Sequence, residues 1–277
     1  MMRLFRLFVT LLFAAVTLLF AWTWYKSAIR SDKTRPVITI DGELIEVALD
    51  ATDEDLLAGV TAYDAKDGDL TDRVIVESIS KFSELGVCKV YYAVCDNDNH
   101  VTSASRKIRY LDYTSPVFYM ERSLCFSQQE TVNVGSVIGA KDVLDGDISG
   151  NIIITSTDYE YGTVGKYTVL AEVANSKGDL ISIRLPLYVE DRNINAPKIE
   201  LSDYLIYVSP GTTVDPRRYF VSATDSFEHD VSESLLISNN YNKNEPGVYS
   251  FDYYADDSIG RRGHSILTVV VKENAEG

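Results

Sequence analysis

The sequence predicts an all-β chain: three tandem antiparallel β-sandwiches following one N-terminal transmembrane helix. Two observations carry this. One acidic phrase recurs as AYDAKDGDLTDRVIV from Ala62, AKDVLDGDISGNIII from Ala140 and ATDSFEHDVSESLLI from Ala223, with starts 78 and 83 residues apart. That period exceeds the ~20–50 residues of a solenoid unit and suits a small domain with its own core. The second is period-two alternation after a glycine in each repeat, the signal of a half-buried strand.

The first element is the apolar run Leu7–Trp24, LFVTLLFAAVTLLFAWTW, which carries no charge. At ~1.5 Å rise per residue such a run spans about one hydrocarbon core. Trp22, Trp24 and Tyr25 form an aromatic belt at its end, followed by Lys26 and Arg30. A cleaved signal peptide is the alternative, but the run is longer than the usual ~7–15-residue apolar region and no small-x-small cleavage pair follows it. The expected arrangement is a cytoplasmic N-terminus, a single span at the cell membrane and extracellular C-terminal modules. Arg3 and Arg6 are balanced by Lys26, Arg30, Lys33 and Arg35, so the short head and long exported part set the orientation.

The expected divisions are 1–31 for the head, anchor and juxtamembrane segment, then modules at 32–112, 113–191 and 192–277, the last with a C-terminal tail. Each module opens on an extended segment after Pro36, Pro116 or Pro197, and each closes with a hairpin. In the first hairpin strand, Cys88, Val90, Tyr92 and Val94 share a face; Tyr167, Val169, Ala171 and Val173, and then Tyr249, Phe251, Tyr253 and Ala255, repeat it. Partner strands follow at 101–110, 180–189 and 264–272. Helix-like stretches are short: ATDEDLLAG (51–59) and DPRRYF (215–220). The polar, proline-stiffened junctions LDYTSP (111–116) and EDRNINAP (190–197) predict a semi-rigid rod.

Beyond residue 31 the chain has 22 Lys and Arg against 41 Asp and Glu. That acidity excludes nucleic acid as a partner, because phosphate binding needs clustered cations. No nucleophile elbow, phosphate-binding glycine loop or Cys/His metal spacing is present. The three histidines, His100, His229 and His264, fall at non-equivalent positions. The expectation is a protein that is not an enzyme. Cys88 occupies the place of Tyr167 and Tyr249 and reads as core; Cys125 aligns near the apolar Ile45 and Ile206. A Cys88–Cys95 bridge is excluded by about 23 Å of extended strand. Buried free thiols are expected, with a Cys95–Cys125 link as the alternative.

The acidic phrase is the candidate site. Asp64, Asp67 and Asp69 recur as Asp142, Asp145 and Asp147, and in part as Asp225, Glu228 and Asp230. Clustered carboxylates suit calcium, which takes six to eight oxygen ligands. The competing reading, and the preferred one, is turn-making: the carboxylates accept from backbone amides while Gly68 and Gly146 take positive φ. The D-x-x-D-G-D spacing is not the EF-hand pattern. No other cofactor is expected.

GVTAYDAKDGDLTDRVIV with GVCKVYYAVCDNDN, then DGDIS with VGKYTV, then PGTTVDPRRYF with PGVYSFDYYADDSIG, resemble the tandem bacterial Ig-like, cadherin-like repeats of Gram-positive surface proteins. The resemblance covers residues 36–272 and departs from the pattern at Glu228-His229-Asp230. It implies immunoglobulin-like sandwiches and a role in adhesion, display or spacing, with a protein or glycan at the cell surface as partner. It implies no activity. The two functions expected are a membrane-anchored, ligand-binding surface protein and a spacer or accessory subunit of an envelope complex held through the membrane helix.

Overall fold

The computed structural model describes residues 2–30 and 33–272. Ser31, Asp32 and the C-terminal tail after Lys272 lie outside the described residues, as do the side chains of Arg3 and Arg30, on which the charge balance across the apolar run partly rests. An α-helix runs Met2–Arg30, and its segment Phe5–Lys26 is apolar enough and, at 22 residues, long enough to cross a membrane. Its described side chains are exposed on every side, so none of them packs into a protein core.

The chain falls into two compact units, one ending at Leu111 and one beginning at Asp112. The first holds one sandwich. Val37–Ile40, Val60–Asp64 and Gly68–Asp69 make a three-stranded antiparallel sheet. The facing sheet runs Leu44–Val47, Val101–Tyr110, Val87–Cys95 and Ile75–Ile79 in spatial order. Val60 and Ala62 from one sheet meet Val47, Cys88, Val90, Tyr92, Val94 and Ile108 from the other. The face predicted from alternation is the buried face.

The same plan recurs twice in the second unit. Val117–Met120, Ile138–Asp142 and Gly146–Asp147 face Ile153–Thr157, Gly165–Ala174, Leu180–Glu190 and Cys125–Ser127. Lys198–Leu201 and Phe220–Thr224 face Leu236–Asn239, Gly247–Asp256, Arg262–Val271 and Leu205–Val208. In all three modules the sandwich is not wholly antiparallel. Leu44–Val47, Cys125–Ser127 and Leu205–Val208 each pair parallel with the last strand of their module. The opening segment pairs first in one sheet and, after a short turn such as that at Gly42 (φ 78°), crosses to the other. Crossing without reversing direction leaves it parallel to the closing strand.

The short helical predictions hold: Asp53–Leu57 is an α-helix with Thr52 and Asp55 in a reciprocal capping box, and Pro216–Tyr219 is a 3₁₀ turn capped by Asp215. Buried Arg106 donates to the Leu56 and Ala58 carbonyls at 2.7 Å and to the Tyr92 hydroxyl at 2.9 Å, pinning the end of that helix. Within the second unit the two sandwiches share packing: Leu205, Tyr207 and Val270 of module three pack with the core of module two, and Tyr204 contacts both cores.

Candidate functional site

The recurring acidic phrase forms a backbone turn in every module. Asp64 Oδ1 accepts from the amides of Lys66 (2.9 Å) and Asp67 (3.0 Å), and Asp142 Oδ1 accepts from Leu144 (2.9 Å) and Asp145 (3.0 Å). Asp225 Oδ1 accepts from Phe227 (2.8 Å) and His229 (2.9 Å). Gly68 and Gly146 take φ of 79° and 73°; in module three His229 replaces the glycine and the positive φ falls one residue earlier, on Glu228 at 65°. The other acids tie the turn to its surroundings. Asp67 Oδ2 accepts from Asn97 N at 2.8 Å, and Asp145 Oδ2 from Ser176 N at 2.6 Å, linking each turn to the hairpin tip of its own module. Asp69 and Asp147 accept from Thr71 and Ser149 amides at 2.9 Å. Hydrogen bonds from the hydroxyls of Thr71 and Ser149, joined by these amide bonds, hold both carboxyls below their ordinary value.

The hairpin tips repeat a second Asx turn. Asp96 Oδ1 accepts from Asp98 and His100 amides, Asn175 Oδ1 from Asp179, and Asp257 Oδ1 from Ile259 and Arg261. Asn175 also donates to Asp142 Oδ2 at 3.1 Å and to the Tyr113 hydroxyl at 2.8 Å. Module one has Asp96 at that register, which has no amide to offer, and the buried Asp64 Oδ2 has no hydrogen-bond partner among the described residues. None of the six candidate calcium residues belongs to a cluster of three or more ligating side chains among the described residues.

One such cluster does form, from Cys125, Glu190 and His264. Cys125 lies opposite Tyr188, the register held by Glu46 opposite Arg109 and by Tyr207 opposite Val270. It is one place along from Ile45 and Ile206, so its thiol leaves the apolar face. No disulfide joins any two of Cys88, Cys95 and Cys125. His264 Nδ1 lies 2.7 Å from Glu190 Oε1 and 3.3 Å from Cys125 Sγ, and its Nε2 lies 3.2 Å from Asp252 Oδ1. Tyr254 stacks on the imidazole at 4.4 Å. Burial alone would push the imidazolium down, but its hydrogen bonds with Asp252, Cys125 and Glu190 outweigh this and hold His264 up at about 12. Burial pushes the Cys125 thiol up. The resting arrangement is therefore a neutral thiol beside an imidazolium–carboxylate pair. Sequence spacing concealed it: the three residues lie 65 and 74 positions apart, and only the parallel pairing of Cys125–Ser127 with the end of Leu180–Glu190 brings the first two together.

A cleft of about 850 Å³ opens on module three. Asp215, Arg217, Asn239, Asn242 and Lys243 supply its polar groups, with Tyr241 at its wall. Tyr241 packs edge-to-face on Tyr249 and donates to the Thr212 carbonyl at 2.6 Å.

No family model matches the chain. Over 138 residues, 48% of the chain, it is 36% identical to an uncharacterized 81.3 kDa protein of Acholeplasma phage L2, covering 18% of that protein. Over 251 residues, 86% of the chain, it is 25% identical to the pesticidal crystal protein Cry22Aa of Bacillus thuringiensis, covering 33% of it. The chain thus spans a third or less of the length of these curated relatives. Among solved structures, Drosophila N-cadherin EC1-4 is similar at 14% identity and a TM-score of 0.24, over 88% of this chain and 76% of that one. The CBM51-2 domain in complex with GlcNAc and INT domains from Clostridium perfringens ZmpB is similar at 18% identity and a TM-score of 0.23, over 56% and 41%. The assignment of sandwiches rests on the strand pairing itself.

Proposed function

We propose that this chain is a non-catalytic, membrane-anchored bacterial surface protein whose immunoglobulin-like modules bind a glycan or a surface protein outside the cell. The observation that carries the reading is the cleft on module three. Its volume of about 850 Å³ lies within the ~300–1,000 Å³ typical of ligand sites. Amide, carboxylate and guanidinium groups around an aromatic wall suit a polyhydroxylated ligand, which needs paired donors and acceptors beside an apolar platform. The Phe5–Lys26 helix supplies the anchor. Probing glycan and protein arrays with the full chain in detergent, with and without calcium, tests this reading; specific binding is the expected outcome, and silence on both arrays counts against it.

A second reading, a spacer or accessory subunit of an envelope complex, draws on the same helix. Its described side chains are predominantly apolar and exposed on every side, leaving surface for neighbouring helices within a bilayer. Co-purification that depends on residues 1–30 would favour it.

A further inference from the structure

The Cys125 thiol, the Glu190 carboxylate and the His264 imidazole lie within 4.8 Å of one another. They come from the second strand of module two, the last strand of module two and the last strand of module three. We propose that these three side chains form a zinc(II) site joining modules two and three, with Asp252 orienting the histidine.

The donor set selects the metal. A thiolate and an imidazole suit zinc and its borderline neighbours, whereas calcium and magnesium take oxygen ligands. The spacing agrees. Tetrahedral zinc, with ~2.3 Å to sulfur and ~2.0–2.1 Å to nitrogen or oxygen, sets ligand–ligand edges of about 3.5 Å to sulfur and about 3.3 Å between nitrogen and oxygen. Sγ lies 3.3 Å from Nδ1, close to one such edge. The Glu190 carboxylate meets the other two donors through different oxygens, Oε2 at 3.6 Å from Sγ and Oε1 at 2.7 Å from Nδ1, so it must rotate to present one oxygen to the ion.

The surroundings are those of a metal-binding histidine. Asp252 Oδ1, 3.2 Å from Nε2, accepts from the Nε2–H, which keeps that proton on the far nitrogen and leaves the Nδ1 lone pair for the metal. Tyr254 and Tyr188, at 4.4 and 5.9 Å, fix the ring plane, so little freedom is lost on binding. A cleft lined by Arg122, Ser123, Glu130 and Arg192 opens onto the thiol and imidazole, giving a path for the ion and a fourth position for water. On coordination the thiol proton and the proton shared between Nδ1 and Glu190 leave to solvent, and a thiolate and a carboxylate then match the dication. Arg192 opposes this charge, since its Nε lies 3.7 Å from Glu190 Oε2; Glu130, 3.9 Å from Arg192 Nη2, offers it another partner.

The test uses the full chain in detergent, stripped of metal and titrated with cobalt(II), then zinc chloride. The expected result is a thiolate-to-cobalt charge-transfer band that saturates at one equivalent and is bleached by one equivalent of zinc. Cys125→Ser should abolish the band while Cys95→Ser keeps it, and Asp252→Asn should weaken zinc binding by ~10–100-fold. Absence of the band in the unmutated chain would overturn the site whether or not any variant folds. A band surviving Cys125→Ser, or zinc affinity unmoved by Asp252→Asn, would also count against it.

Discussion

Asp64 and Asp142 show why a residue kept in register across modules need not be a ligand. Each uses one carboxylate oxygen to hold two successive backbone amides, so removing it strips the turn of both acceptor bonds. Asp64→Ala should cost ~0.5–2 kcal/mol by analogy with helix caps, read from chemical denaturation of the chain, and millimolar calcium should leave that stability unmoved. The hairpin acids make a second test. Burial pushes Asp96 up, but the hydrogen bonds and charge of His100 prevail and hold it below its ordinary value of 3.8. A carboxyl lowered on folding contributes stability above its unfolded pKa and loses it as pH falls through the folded one. Asp96→Asn keeps the amide acceptor, as Asn175 does, so unfolding below about pH 3.8 should become less steep. An unchanged acid limb would contradict this. These turns were legible because Asp and Gly mark them directly. Arg106 was not: it holds a core-facing position two places from Ile108, and only the carbonyls at the end of the short helix, far away in sequence, explain a guanidinium there.

At the scale of elements, the hairpins were legible because period-two alternation states which face is buried. Their partners at the sheet edge were not. A strand of three or four residues carries too little pattern to show that it changes sheets, and the parallel pairing of Cys125–Ser127 follows only from the closed sandwich. The same limit hid His264: a histidine third in its strand reads as a strand start until the facing strand and Glu190 are placed. The opening segment of module three makes a tight contact that can be tested. A Cβ on Gly263 would stand 2.1 Å from the Pro197 carbonyl oxygen, and backbone cannot swing away as a side chain can. Gly263→Ala should therefore destabilise the second unit by ~1–3 kcal/mol, the usual cost of overpacking. Gly263 is not in the left-handed region, so a normal melting temperature for this variant would mean that Pro197 is not seated on the closing strand.

For the whole molecule, the repeat period yields three sandwiches, each with its own buried cluster. It does not show that residues of module three pack with the core of module two, because that contact joins surfaces with no common sequence pattern. The cleft proposed as the ligand face was equally hidden. Arg217, Asn239 and Asn242 line one cleft but come from a 3₁₀ turn, a strand end and a loop with no shared motif. Arg217 and Lys243, which also lines the cleft, are exposed, and neither side chain accepts from a backbone amide, so truncating them should leave the sandwich intact. The most direct measurement is a calorimetric titration of an array-selected ligand into the unmutated chain and into the Arg217→Ala, Lys243→Ala double variant. Saturable binding that falls at least ~10-fold in the variant, about 1.4 kcal/mol, with an unchanged melting temperature, is the predicted result. Equal affinity in the two proteins would contradict the assignment of the module-three cleft as the binding face.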